Sequence, residues 1–106
     1  MSQAGRLRHR LTLIRRVEKE DGRSGFTETD QRVAGFWGRV RTVTSKERFY
    51  SRGLRAEASH FVRIRFRQDV DEESVLLFRG VRLQVLGTQN VDERDRWLDL
   101  DCKKET

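Results

Sequence analysis

Proline is absent from the 106 residues, and cysteine and methionine occur once each. A lone cysteine, Cys102, closes no disulfide within the chain, so a disulfide-stapled scaffold is excluded and stability must come from a packed core. No apolar run is long enough for a membrane helix and no secretory apolar segment is present; the chain reads as a soluble cytosolic product with no membrane role. The only histidines, His9 and His60, stand at separations from each other and from Cys102 that match no compact metal-ligand spacing. Both fit better as strand residues bordering the core, their rings hydrogen-bonded nearby. Also lacking are a phosphate loop, a nucleophile elbow and any acid–base constellation, since Asp and Glu gather in turns where water keeps them ordinary ions. The sequence therefore predicts no catalytic residue, no metal, no cofactor and no enzyme.

What is abundant is charge. Charged residues make up 38% of the chain against 35% hydrophobic, so any core is thin and its coat polar. Because the two signs nearly cancel, and two Trp, six Phe and several apolar runs are available for burial, a folded domain is expected rather than disorder. At this length it is a single domain, 1–106. The charge is unevenly placed: residues 1–67 hold 17 basic and 7 acidic side chains, residues 68–106 hold 6 and 10. Such a chain attracts a polyanion with one region, or copies of itself head to tail with both.

Hydrophobic periodicity gives about six strands. Between Leu7 and Val17, Leu7, His9, Leu11 and Leu13 alternate with Arg8, Arg10, Thr12 and Ile14, which predicts a half-buried strand. The stretch from Glu18 to Asp30 reads as a turn or protruding hairpin tip, with Asp21, Gly22 and Gly25 supplying the special backbone angles. A second strand runs from Arg32 to Thr44, with Phe36 and Val40 on one face and Trp37, Arg39, Arg41 and Val43 on the other; Gly35 or Gly38 permits a bulge. From His60 to Arg67, Val62, Ile64 and Phe66 face one way and Arg63, Arg65 and Arg67 the other. After an acidic connection at 69–73, Val75–Phe78 and Val81–Leu86 form a hairpin across Arg79 and Gly80, and a last hairpin joins Leu86–Val91 to Trp97–Cys102 around the charged tip 92–96. The end, 103–106, is expected to fray. Only 44–59 breaks the β pattern, a helical or loop excursion with helical turns around Lys46–Tyr50 and Leu54–Ala58. With hairpin connections and no βαβ spacing, the fold class is all-β: a small antiparallel barrel or rolled sheet with one short insertion.

The arginines of the third strand invite a nucleic-acid reading, as do Phe49, Tyr50 and Trp37 among basic residues. A solvated face paired with the acidic second half, and aromatics serving as core or interface anchors, explain them more simply.

Several segments in order, GRLRHRLTLIRR, the Asp-Gly-x-x-Gly turn at 21–25, Trp37, Glu47, HFVRIRFRQDV, LFRGVRLQVLG and VDERDRWLDLDC, resemble the head-closure family of long-tailed bacteriophages, also called head-tail joining, adaptor or stopper proteins. The resemblance spans Gly5 to Cys102. It implies a structural virion protein, found in phages, prophages and gene transfer agents, that assembles in the host cytoplasm as a ring of six or twelve copies at the head-tail neck. That ring closes the capsid exit after packaging and offers the tail a platform. Implied partners are the portal or adaptor ring above, the tail terminator or tail tube protein below and the packaged double-stranded DNA. On this reading Lys46, Arg48, Arg52 and Arg55 face the channel or DNA, and Arg63, Arg65, Asp69, Glu72, Glu73, Asp92 and Glu93 form the ring interface. A tail-completion or neck protein of related barrel fold is the nearer alternative, and a stand-alone nucleic-acid-binding barrel the more distant one.

Overall fold

The computed structural model describes residues 7–23, 25–44 and 57–105. Six strands, β1 (His9–Glu20), β2 (Phe26–Thr42), β3 (His60–Arg65), β4 (Val75–Phe78), β5 (Val81–Asn90) and β6 (Trp97–Lys104), close into an antiparallel barrel in the order β1-β2-β3-β6-β5-β4. Closure rests on three register pairs between β1 and β4, Thr12 with Leu77, Leu13 with Leu76 and Ile14 with Val75. The alternating inward residues fill the interior: Leu11, Leu13, Val62, Ile64, Leu76, Leu83, Val85, Leu98, Leu100 and Cys102 form one cluster, with Phe36, Val40 and Phe66 packed against it. Burial of Cys102 raises its thiol pKa to about 12, so it behaves as a small apolar filler.

Four expectations need correction. Ile14 keeps the face of Arg10 and Thr12 but is buried there, paired with buried Val75 of β4 and outside the main core cluster. At the same point the β1–β2 register slips between Leu13, opposite Ala34, and Ile14, opposite Arg32, with Val33 the extra residue of a bulge in β2. Val43 is buried as well: β2 ends at Thr42, and the Val43 N–H donates to the Ser59 carbonyl at 3.0 Å as the chain leaves the sheet. Most of 18–30 is strand rather than tip, since β1 and β2 stay paired to Glu20 and Phe26 and the turn proper spans only 21–25. There Asp21 accepts from the Arg23 and Gly25 N–H groups at 2.8 and 3.1 Å, and Gly22 takes φ +78°. Finally, the end does not fray at 103–105. Lys103 and Lys104 pair with Gln84 and Leu83, and the Glu105 N–H donates to the Arg82 carbonyl. Residues 45–56 of the expected excursion, and with them its helical turns at Lys46–Tyr50 and most of Leu54–Ala58, lie outside the described residues.

The turn between β4 and β5 and the local hydrogen bonds of the two histidines are as expected. Arg79 and Gly80, both at positive φ, make the two-residue turn between β4 and β5. His9 Nδ1 accepts from the Val40 N–H at 3.2 Å, and His60 Nδ1 shares a 2.9 Å hydrogen bond with the Ser59 hydroxyl.

Candidate functional site

Strand register places the chemistry on the outer wall of β2, β3 and β6 in three cross-strand rows. Arg10 lies opposite Trp37, and Arg65 opposite Trp97. Next come Arg39, Arg63, Asp99 and Gln89, each opposite the one before. The last row is Arg41, Phe61, Asp101 and Gly87. The guanidiniums of Arg10, Arg65 and Arg41 sit 5.4, 5.4 and 4.8 Å from the ring centres of Trp37, Trp97 and Phe61, within cation–π range. Trp37 remains 52% exposed. A groove of about 540 Å³ runs along the wall, lined among others by Arg39, Arg41, Phe61, Arg63, Asp99 and Asp101.

The expected interface residues divide by whether their own chain already uses them. Arg63 forms a bidentate pair with Asp99 at 2.6 and 2.8 Å, and that hydrogen bonding outweighs partial burial to hold the guanidinium pKa above its ordinary value. Asp69 is engaged in the same way by Arg67, at 2.9 and 2.8 Å, and its carboxyl is held below the ordinary range mainly by that bond. Arg67 lies beyond the end of β3 and stacks over Phe36 at 5.0 Å, so the three arginines do not share one strand. Arg65 is exposed over Trp97.

Glu72 and Glu73 are exposed on a tight turn. Its frame is buried Ser74, whose hydroxyl accepts from the Asp71 N–H at 3.0 Å, while Asp71 accepts from the Glu73 N–H at 2.9 Å. Asp92 and Glu93 are also exposed, at φ 55° and 54°. Asn90 brackets their turn by donating to Asp95 at 2.6 Å and accepting from its N–H at 3.0 Å. Two rigid turns thus present carboxylates to solvent. Lys46, Arg48, Arg52 and Arg55 lie outside the described residues. On either side of that stretch Val43 and Ala58 are buried, and the Val43 N–H donates to the Ser59 carbonyl.

Two features were not foreseen. One is the pairing of Arg10 and Arg65 with tryptophans, which depends on long-range register that alternation alone does not give. The other is how far β1 and β2 stay paired beyond Ile14, a ribbon whose tip carries Phe26 at 72% exposure. Its foot is tied to the barrel by Arg16 with Glu105, Arg82 with both Asp30 and Glu105, and Arg15 with Asp71 and the Asp69 carbonyl.

This architecture offers contact surfaces: a guanidinium–aromatic wall, two carboxylate-bearing turns and an extended ribbon. Among the described residues no group of three or more His, Cys, Asp and Glu could hold a metal, and no helix is long and apolar enough to cross a membrane. No curated protein matches the chain. Among solved structures, protein SF1141 from Shigella flexneri 2a, determined in solution, is similar with a TM-score of 0.81 at 24% identity, over 99% of this chain and 98% of that one. At that identity the likeness is one of fold. The family profile described as phage head completion protein matches residues 2–105, nearly the full span of the barrel and its turns. On that match, the chain belongs to the phage head completion protein family.

Proposed function

We propose that this head completion protein acts as a ring at the head-tail connector, closing the capsid exit after DNA packaging and presenting the platform on which the tail docks. The observation that carries the reading is the family match from residue 2 to 105, which makes the chain a structural component of the phage head. A subunit held in a collar needs a stiff body and projecting contacts, and a closed barrel with framed acidic turns supplies both. Repetition around a symmetry axis then makes individually weak polar contacts collectively strong. The portal or adaptor ring above, the tail terminator or tail tube protein below and the packaged DNA are the partners of this position. Six or twelve copies would fill it, assembled from host cytoplasm into the neck of the virion. The role is structural, with no catalysis.

Within the ring, Lys46, Arg48, Arg52 and Arg55 face the channel. Arg65, Glu72, Glu73, Asp92 and Glu93 belong to the subunit interface. Arg63 and Asp69 support that interface from within, since each is held by a partner in its own chain. The same internal pairing favours this role over a free nucleic-acid-binding barrel, because phosphate would have to displace Asp99 from Arg63 and Asp69 from Arg67.

The test is imaging of particles made without the protein, with it, and with Lys46, Arg48, Arg52 and Arg55 all changed to Gln. Loss of the protein should leave tailless heads that fail to retain their DNA, and the reconstructed neck of complete particles should contain a ring of this barrel. The four-fold Gln variant should leak DNA from filled heads. A barrel found in the tail alone would favour the tail-completion reading, and unchanged DNA retention and tail joining in the Gln variant would remove the channel assignment.

A further inference from the structure

The β1–β2 ribbon leaves the barrel beyond the Ile14–Val75 pair and continues for six residues of β1, a reach of about 20 Å at the usual strand rise. It contributes to a molecule 54 Å long but only 30 and 26 Å across. Isolated two-stranded ribbons are marginal in water, and this one makes no apolar core of its own. Its composition is not neutral. Register sets Glu18 directly opposite Glu28 and Glu20 opposite Phe26, and alternation puts all four on the face that carries Arg16 and Asp30. Arg16 and Asp30 are engaged at the foot by Glu105 and Arg82. Beyond them Glu18, Glu20 and Glu28 are exposed and have no ion pair among the described residues. Like charges placed directly across a strand pair destabilise it, so the free ribbon holds an unrelieved repulsion beside an exposed phenyl ring.

The outer wall has the opposite chemistry. Arg10, Arg39 and Arg65 make no ion pair among the described residues; two of them lie over Trp37 and Trp97, with Trp37 half exposed. Trp37 and Arg39 are two residues apart on β2, as are Phe26 and Glu28. Both surfaces therefore repeat at the same two-residue spacing of about 6.6 Å, which lets an aromatic meet an aromatic while a carboxylate meets a guanidinium. Aromatic and arginine side chains are the usual anchors of protein interfaces.

We infer that the acidic face of the ribbon, Glu18, Glu20, Glu28 and Phe26, docks on the Arg10–Trp37, Arg39 and Arg65–Trp97 wall of a second copy of this chain. The contact is head to tail: one surface is used on one flank and a different one on the other, so it propagates around a closed ring. A second copy is the occupant because three unpaired carboxylates face three unpaired guanidiniums on one and the same polypeptide. The foot of the ribbon, tied by Arg15 to Asp71, stands beside Glu72 and Glu73, so the proposed acidic turn extends the same flank. Asp92 lies near enough to Arg63 to act on it electrostatically, which places the other acidic turn at the rim of the wall.

This inference rests on the ring reading, and the experiment separates the two. Phe26 is replaced by the photo-reactive aromatic p-benzoylphenylalanine, and particles are assembled from a mixture of isotopically light and heavy chains. On irradiation the position-26 probe should capture a heavy–light partner at Arg10, Trp37 to Arg39, or Arg65 to Trp97. In parallel, Glu18→Arg with Glu28→Arg, and separately Arg39→Glu with Arg65→Glu, should each lower tailed-particle yield at least tenfold. Expressing the two variants together should restore it, since each then offers the other a complementary surface. Neck rings that contain the protein but show capture on a portal or tail protein, no capture, or no restoration would overturn this contact and leave the ring reading standing. Absence of the protein from necks would overturn both.

Discussion

Gly38 is a position where an added methyl group is too much. It faces the interior of β2, and a Cβ there would stand 2.6 Å from Leu11 Cδ1, 3.0 Å from Ile64 Cγ2 and 3.2 Å from the Arg63 carbonyl oxygen. Leu11 and Ile64 are fully buried, so neither has solvent to move into. Gly38→Ala should destabilise the barrel by about 1–3 kcal/mol, the usual range for overpacking a tight core. Denaturant unfolding measures it, and an unchanged midpoint would show that the interior yields. Asp69 makes a second prediction at the same scale. Its carboxyl is held below the ordinary 3.8, first by the hydrogen bond from Arg67 and then by that guanidinium's charge, with burial opposing. A depressed folded-state value contributes stability that is present above the unfolded value and lost as pH falls through the folded one. With the pair a third exposed, solvent screening keeps the contribution within about 1 kcal/mol. Wild type and Asp69→Asn should therefore differ by a constant amount above about pH 5, and the difference should shrink as pH falls through 3.8 toward the lower folded-state value. A difference that does not shrink on acidification would assign the effect to something other than the charge.

The ribbon is the element whose stability should differ most from the rest. Beyond Ile14 its side chains, Val17 apart, are exposed or tied only by surface ion pairs, whereas β3 and β6 place alternate residues in the core. Amides from Val17 to Glu20 and Phe26 to Thr29 should exchange with solvent at least a hundredfold faster than those of Val62 and Ile64, as local opening needs no core to be broken. Hydrogen exchange followed by NMR reads this directly; equal protection would mean that the ribbon is part of the cooperative unit. How the sequence spoke at this scale follows from the same contrast. Strands with one buried face were legible from alternation: Val62 and Ile64 inward, Leu98, Leu100 and Cys102 inward, and the Arg79–Gly80 turn between two apolar runs. The ribbon was not, because both of its faces meet water and its residues alternate between polar and polar. The burial of Ile14 was hidden for another reason: its register partner Val75 lies far along the chain, and only the closing β1–β4 pair brings the two together. The candidate surfaces suffered most. The Arg65–Trp97 contact and the capture of Arg63 by Asp99 join β3 to β6, which only the strand order of the closed barrel brings together, and the Arg10–Trp37 contact depends on the register of the long β1–β2 hairpin.

On the scale of the whole molecule, part of the uneven charge is absorbed within the barrel. Basic residues of the first two-thirds pair with acidic residues of the last third: Arg63 with Asp99, Arg16 with Glu105 and Arg15 with Asp71. Closure makes this possible, since it carries β6 and the 69–73 turn against β3 and β1. What is left over decides how copies meet. Glu72 and Glu73 project from a turn fixed by Ser74 and Asp71, so reversing their charge disturbs no internal pair among the described residues. Glu72→Lys with Glu73→Lys should leave the unfolding midpoint within about 0.5 kcal/mol of wild type, as for other surface changes. It should nevertheless weaken ring assembly. The loss should be largest at low ionic strength and shrink toward 0.5 M salt, where the Debye length falls to about 4 Å and exposed charges no longer sense each other across an interface. Sedimentation of assembled neck complexes at several salt concentrations measures it. Equal assembly by the two proteins at low salt would take the 72–73 turn out of the interface, and a defect that does not diminish with salt would make it a contact of shape rather than charge.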